Sequence, residues 1–159
     1  MQDRPETKNT SLYDTDFFVW CHEQARLVRE GRFAELDIEN VAEELESMAR
    51  SDKHQIRRRL KVLVAHLLKW RYQPGFRTPS WRRTIRDQRE EIVSIVKGSP
   101  SLKGFPESQA LDRYHAGRLA ASEETGIDYT LFPEECPFTP EQILDPDFLP
   151  KEAGLYDQS

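Results

Sequence analysis

From residue 32 to residue 73 the chain contains neither glycine nor proline, and across that stretch apolar side chains recur every three or four positions. Val41, Leu45, Met48, Ile56, Leu60, Leu63, Leu67 and Trp70 keep this step, with Asp52 the polar exception. A period near 3.6 is helical, and nothing in the segment breaks a helix once it has started. The spacing predicts one helix over about residues 38–71, on the order of 50 Å long at 1.5 Å per residue. Its apolar seam is expected to be buried from Val41 to Trp70, with shorter helices gathered around it. The stretch from Arg50 to Lys53 is where a kink would fall. Outside the seam the first half is acidic (Glu39, Glu43, Glu44, Glu46) and the second basic (Arg57, Arg58, Arg59, Lys61, Lys69). That order suits the helix macrodipole.

The remaining elements follow from their punctuation. Asp14, Thr15 or Asp16 can cap a first helix, in which Phe17, Trp20, Cys21, Gln24, Leu27 and Val28 share a face. Gly31 is its natural stop. Gln73-Pro74-Gly75 ends the long helix, and Ser80 is expected to cap a third whose inward residues are Trp81, Ile85, Gln88, Ile92, Ile95 and Val96. Gly98-Ser99-Pro100 closes it. A weaker helix is expected from about Pro106 to Glu124, with Ala110, Leu111, Tyr114 and Ala121 inward and Gly126 at its end. Beyond it Pro133, Pro137, Pro140, Pro146 and Pro150 enforce an extended course, with room for one short helix at Thr139–Leu144. No segment has a convincing strand period. The fold class is all-α: a bundle of four main helices with one long central helix and a Pro-rich C-terminal tail. Residues 11–150 are expected to form a single domain between disordered termini at 1–10 and 151–159.

Charge is segregated along the chain. Residues 1–50 hold 6 basic and 12 acidic side chains, whereas residues 51–100 hold 13 basic and 4 acidic. The middle third is thus a cationic block within a chain of net charge −5. No apolar run approaches the ~20 residues of a membrane span, and no hydrophobic segment follows Met1-Gln2-Asp3-Arg4-Pro5 as a secretory leader would require. Two cysteines, Cys21 and Cys136, make neither a CxxC pair nor a disulfide framework. The expectation is a cytoplasmic protein.

Several motifs, in order, resemble a known family. They are Leu12-Tyr13-Asp14 with Asp16-Phe17 and Trp20, Leu27 to Gly31-Arg32-Phe33, Leu36-Asp37 through Asn40-Val41-Ala42-Glu43-Glu44, and His66-Leu67-Leu68-Lys69-Trp70. Ser80-Trp81, Ile85, Arg89, Pro100-Ser101-Leu102 and Phe132-Pro133-Glu134-Glu135-Cys136-Pro137 complete the set. Over about residues 11–150 the chain resembles bacterial proteins classed as domain of unknown function, family 29. The resemblance implies a compact helical domain and carries no catalytic residue with it.

Signature chemistry is sparse. The glycines form no GxGxxG, no GxxxxGK and no GxSxG. His22-Glu23-Gln24-Ala25-Arg26 has a cation where a zinc protease needs its second imidazole. His22, His66 and His115 fall on three helices and could converge on a metal only if the bundle brought them together, but Asp112 with His115 is the single carboxylate–imidazole pair. His66 is expected instead at a packed boundary, bonding a carboxylate. Glu43 and Glu44 point about 100° apart on a helix, a poor start for two-metal chemistry. Cys21 is expected to be buried, and Cys136 has no basic neighbour to activate it.

The strongest candidate is the basic, aromatic-interleaved run from Lys69 to Arg89. Arg71, Arg77, Arg82, Arg83 and Arg86 could form a face that meets an acidic protein partner, or could pair internally with the acidic segments. The alternative reading is nucleic-acid binding, with cations on phosphates and a metal-dependent nuclease site at Glu43 and Glu44. Trp70 and Trp81 lie on core stripes, which removes the obvious stacking platforms. The preferred reading is a non-catalytic interaction module without a cofactor.

Overall fold

The computed structural model describes residues 11–153. The expected disordered termini therefore lie outside the described residues, except for 151–153, where Ala153 N–H donates to the Arg71 carbonyl at 3.2 Å. Among the described residues every regular element is helical: α1 (Leu12–Thr15), α2 (Phe17–Arg29), α3 (Ile38–Tyr72), α4 (Pro79–Gly98), α5 (Phe105–Ala110), α6 (Tyr114–Thr125) and α7 (Pro140–Leu144), with single 3-10 turns between. Four are long, and α3 is the longest, unbroken through Arg50–Lys53. The chain divides into two compact units, residues 1–50 and 51–159.

In the second unit α3 is the core. Leu63, Val64, Ala65, Leu67, Leu68, Lys69 and Trp70 are all buried, so this part of the helix is enclosed on every side. A helix apolar all round has to be surrounded, and α4, α6 and the segment after α6 supply the cover. Ile85 and Ile92 come from α4, Tyr114 and Ala121 from α6, and Phe132, Phe138 and Ile143 from the Pro-rich segment. The closest approach is at Gly117 in α6, where an added Cβ would lie 2.7 Å from Val64 Cγ1 and 3.1 Å from the Lys61 carbonyl. Only glycine lets the two helices meet there.

Local chemistry sets the element ends. Asp16 accepts from Val19 N–H at the start of α2, and Thr139 with Gln142 forms a capping box on α7. Gly126 ends α6 at φ 74°, a left-handed position that suits glycine. Thr78, not Ser80, caps α4, because Pro79 occupies the first helical position, where its missing N–H costs nothing. The expected helix from Pro106 to Glu124 is divided, with a turn at 111–113, and Leu111 faces solvent there instead of the core.

The Pro-rich segment has no backbone ladder, so its carbonyls need donors from elsewhere. Side chains provide them. Tyr114 Oη donates to Pro133 O at 2.6 Å, Arg118 Nη2 to Phe132 O at 2.8 Å, and Arg89 reaches three carbonyls: Ile143 (2.9 Å), Phe148 (3.0 Å) and Gln142 (3.2 Å). Arg89 is 4% exposed, and burial lowers its guanidinium to about 10, so it remains charged at neutral pH. The inward position expected for Gln88 belongs to Arg89, one step on and in line with Ile85 and Ile92.

The first unit is built differently. Among its described residues the buried apolar side chains are Trp20 and Leu27. Trp20 Nε1 donates to Asp37, Gln24 accepts from Asp37 N–H, and the Tyr13 hydroxyl donates to Glu44. The seam expected to be buried from Val41 is open here: Leu45 is 62% exposed and Met48 68%, and burial begins at Ile56. Cys21 is exposed as well, against the expectation of a buried thiol. Phe17 stacks on Trp20 (ring centroids 5.6 Å apart) and is itself 48% exposed.

Candidate binding surface

The histidines do not assemble a metal centre: among the described residues no group of three or more His, Cys, Asp and Glu side chains is placed to hold an ion. His66 bonds a backbone carbonyl, not a carboxylate, with Nδ1 2.9 Å from Val62 O one turn earlier. Nδ1 carries the proton in that bond, since the carbonyl can only accept. Burial, helped by nearby Lys69, holds its pKa below the ordinary 6.5. The unfolded chain therefore binds more protons than the folded one just below pH 6.5, and stability present above that pH is lost as the pH falls through it. Replacing His66 with Gln is expected to flatten the fall in urea midpoint between about pH 7.5 and 5.5. Cys136 is half-buried, and burial pushes its thiol up, away from the thiolate a nucleophile requires.

The basic run is sorted by the fold into spent and available cations. Lys69 is buried, its Nζ 2.8 Å from Glu124 and 4.7 Å from the Trp81 ring centroid. Arg77 donates to the Trp70 carbonyl at 2.8 Å, lies over the Trp70 ring at 4.8 Å and approaches Glu152 at 3.7 Å. Arg71 is half-buried in α3, and its carbonyl ties down Ala153. Arg59 is held by Glu91 and Gln88. Lys69, Arg77 and Arg59 are part of the internal charge lattice.

Arg82, Arg83 and Arg86 point outward from the first turns of α4. Arg82 rests over Trp70 at 5.6 Å, and Arg86 meets only exposed carboxylates, Asp87 at 3.0 Å and Glu90 at 3.8 Å. Ion pairs that exposed contribute little and exchange readily. Arg83 is exposed with no ion pair among the described residues. Phe76, in the turn before α4, adds an aromatic side chain that is largely in solvent.

Further along the same helix Arg86, Glu90, Val93, Ser94 and Lys97 form one wall of a pocket of about 340 Å³, closed on the other side by Leu144 and Pro146. A second depression of about 240 Å³ continues it past Val96 toward Lys103 and Pro106. The floor is aliphatic, and Arg86, Lys97 and Lys103 stand along it. Arg89 lines the groove from beneath, with three of its five N–H groups donated to carbonyls of Gln142, Ile143 and Phe148. Sequence reasoning found Arg86 but missed this groove, because Val93, Leu144 and Pro146 lie some fifty positions apart and no periodicity joins them.

Glu43 is bonded to Arg50 at 2.7 Å and Glu44 to Tyr13, so neither is a free ligand. No described helix is long and apolar enough to cross a membrane. A family model described as "Domain of unknown function DUF29" matches residues 12–149. No curated protein and no solved structure matches the chain.

Proposed function

Because the chain belongs to the DUF29 family, whose description names no chemistry, we propose a function from its surface: a non-catalytic interaction module whose basic face along α4 takes an acidic partner. The observation that carries this reading is the coincidence of unspent cations and an apolar groove on one helix. Arg82, Arg83 and Arg86 lead into a channel floored by Val93, Val96 and Leu144 and flanked by Lys97 and Lys103. Apolar anchors supply affinity, and flanking charge supplies orientation and rate. The segment such a groove accommodates is short, acidic and interrupted by Leu or Phe.

Nucleic acid is the second reading, and it finds less support. Trp70 is buried beneath Arg77 and Arg82 and so cannot stack on a base, leaving Phe76 as the exposed ring of this region. A labelled peptide rich in Glu with spaced Leu residues, titrated against the full chain, distinguishes the two. Binding in the micromolar range is expected, with Arg82→Glu plus Arg86→Glu weakening it about a hundredfold through two reversed contacts of ~1.4 kcal/mol each. Single-stranded DNA bound more tightly than the peptide, with a steep loss on adding salt, would favour the second reading. A peptide indifferent to the double substitution would end the first.

A further inference from the structure

We infer that the N-terminal unit is a second docking surface, independent of the basic groove, and that its occupant is a basic amphipathic helix of another protein. The unit has an inverted apolar inventory. Among its described residues two apolar side chains are buried, while Phe17, Phe18, Phe33, Ile38, Leu45 and Met48 are between 48% and 72% exposed. Isolated exposed hydrophobics are ordinary, but six in so small a unit, three of them on one stripe of α3, point to an interaction site.

The arrangement on α3 says what shape covers it. At 3.6 residues per turn Ile38, Leu45 and Met48 fall within an arc of roughly 80°, with Ala42 and Ala49 bordering it on the side toward Glu46. A stripe that narrow, with anchors at i, i+7 and i+10, fits the ridge of a single helix laid along it. Met48, unbranched and adaptable, suits an incoming side chain of unspecified shape.

The charge beside the stripe says what kind of helix. Glu39, Glu43 and Glu46 occupy the adjoining arc of α3, all exposed. Arg50 answers Glu43 at 2.7 Å and reaches Glu46 only at 3.8 Å, and Glu39 has no ion pair among the described residues. Residues 1–50 carry twice as many acidic as basic side chains. A second copy of this unit would bring the same acidic edge against itself, a like-charge juxtaposition that disfavours pairing. A helix with Lys or Arg along the edge of its apolar face meets no such penalty.

The test uses the full chain and two synthetic peptides with identical Leu heptads, one flanked by Lys and one by Glu. Fluorescence anisotropy is expected to show the Lys peptide binding about tenfold or more tightly than the Glu peptide. Leu45→Asp with Met48→Asp is expected to abolish that binding while leaving the circular dichroism melt unchanged, since both side chains are already exposed. Glu39→Lys with Glu46→Lys, which leaves the stripe intact, is expected to reverse the preference between the peptides. Equal binding of both peptides would overturn the inference, as would binding that survives the Asp substitutions. Sedimentation of the wild-type chain as a dimer that Leu45→Asp with Met48→Asp dissociates would overturn it too, by showing the occupant to be a second copy.

Discussion

Leu63→Ala is expected to lower the unfolding free energy by about 2–5 kcal/mol, whereas Leu45→Ala, the same change on the same helix, should stay within about 0.5 kcal/mol. Leu63 is fully buried among Leu60, Leu67 and the side chains that α4 and α6 bring to α3. Removing three of its carbons leaves a void that the enclosing helices cannot close, because Gly117 already holds α6 against Val64 at the limit of approach. Leu45 has no such enclosure, and Leu and Ala differ little in helix propensity. Urea denaturation of the two variants side by side reads the contrast directly. A cost at Leu45 equal to that at Leu63 would mean that the N-terminal stripe is covered in the isolated chain, and the docking inference would fall with it.

That contrast also marks how far the sequence reaches. The length of α3 was legible because its physical cause is local: no glycine or proline lies between Gly31 and Pro74, and the apolar step is regular. The turn at Pro74–Phe76, the stop at Gly126 and the short helix α7 were legible for the same reason, as each depends on backbone preferences of a few adjacent residues. Burial is another matter. The step that places Leu45 and Leu63 on related faces is the same, and what separates them is which other elements arrive to cover each face. Cys21 belongs to this class, at an apolar-face position left exposed, whereas Leu111 is exposed because the helix breaks at 111–113.

The candidate site was legible only in part. Arg82, Arg83 and Arg86 stood out as a cluster, but Arg77 and Lys69 belong to the same run and are spent internally, since pairing with Glu152 or Glu124 spans more than fifty residues. The spacing of Arg89 carries a signal of its own. Arg89 lies four residues after Ile85 and three before Ile92, so the helical period puts it on the inward face. A cation at such a position requires acceptors, and a Pro-rich segment with unpaired carbonyls is where a chain keeps them.

Arg89→Ala is therefore expected to be among the most damaging single substitutions in the protein, at about 3–5 kcal/mol, because the carbonyls it serves are left without a donor. Three carbonyls, of Gln142, Ile143 and Phe148, lose their donor at once, and each unsatisfied acceptor in a closed environment costs of order 1–3 kcal/mol before the structure relaxes. Relaxation has an obvious route: α7 and the chain after it can lift off to find water. Limited proteolysis should then cut the variant between Thr139 and Pro150 while the wild-type chain resists. Arg89→Lys is expected to recover only part of the loss, since one ammonium group cannot direct donors to three carbonyls as a planar guanidinium does. Arg86→Ala, three residues earlier on the exposed side of α4, serves as the control and should change stability by less than about 0.5 kcal/mol. The same variant probes function. Leu144 and Pro146 form the far wall of the groove and are held there by the segment that Arg89 clasps, so Arg89→Ala should weaken the acidic peptide by releasing that wall. A chain that lost its proteolytic resistance but kept its peptide affinity would place the binding surface on the outer arginines alone, with the groove no part of it.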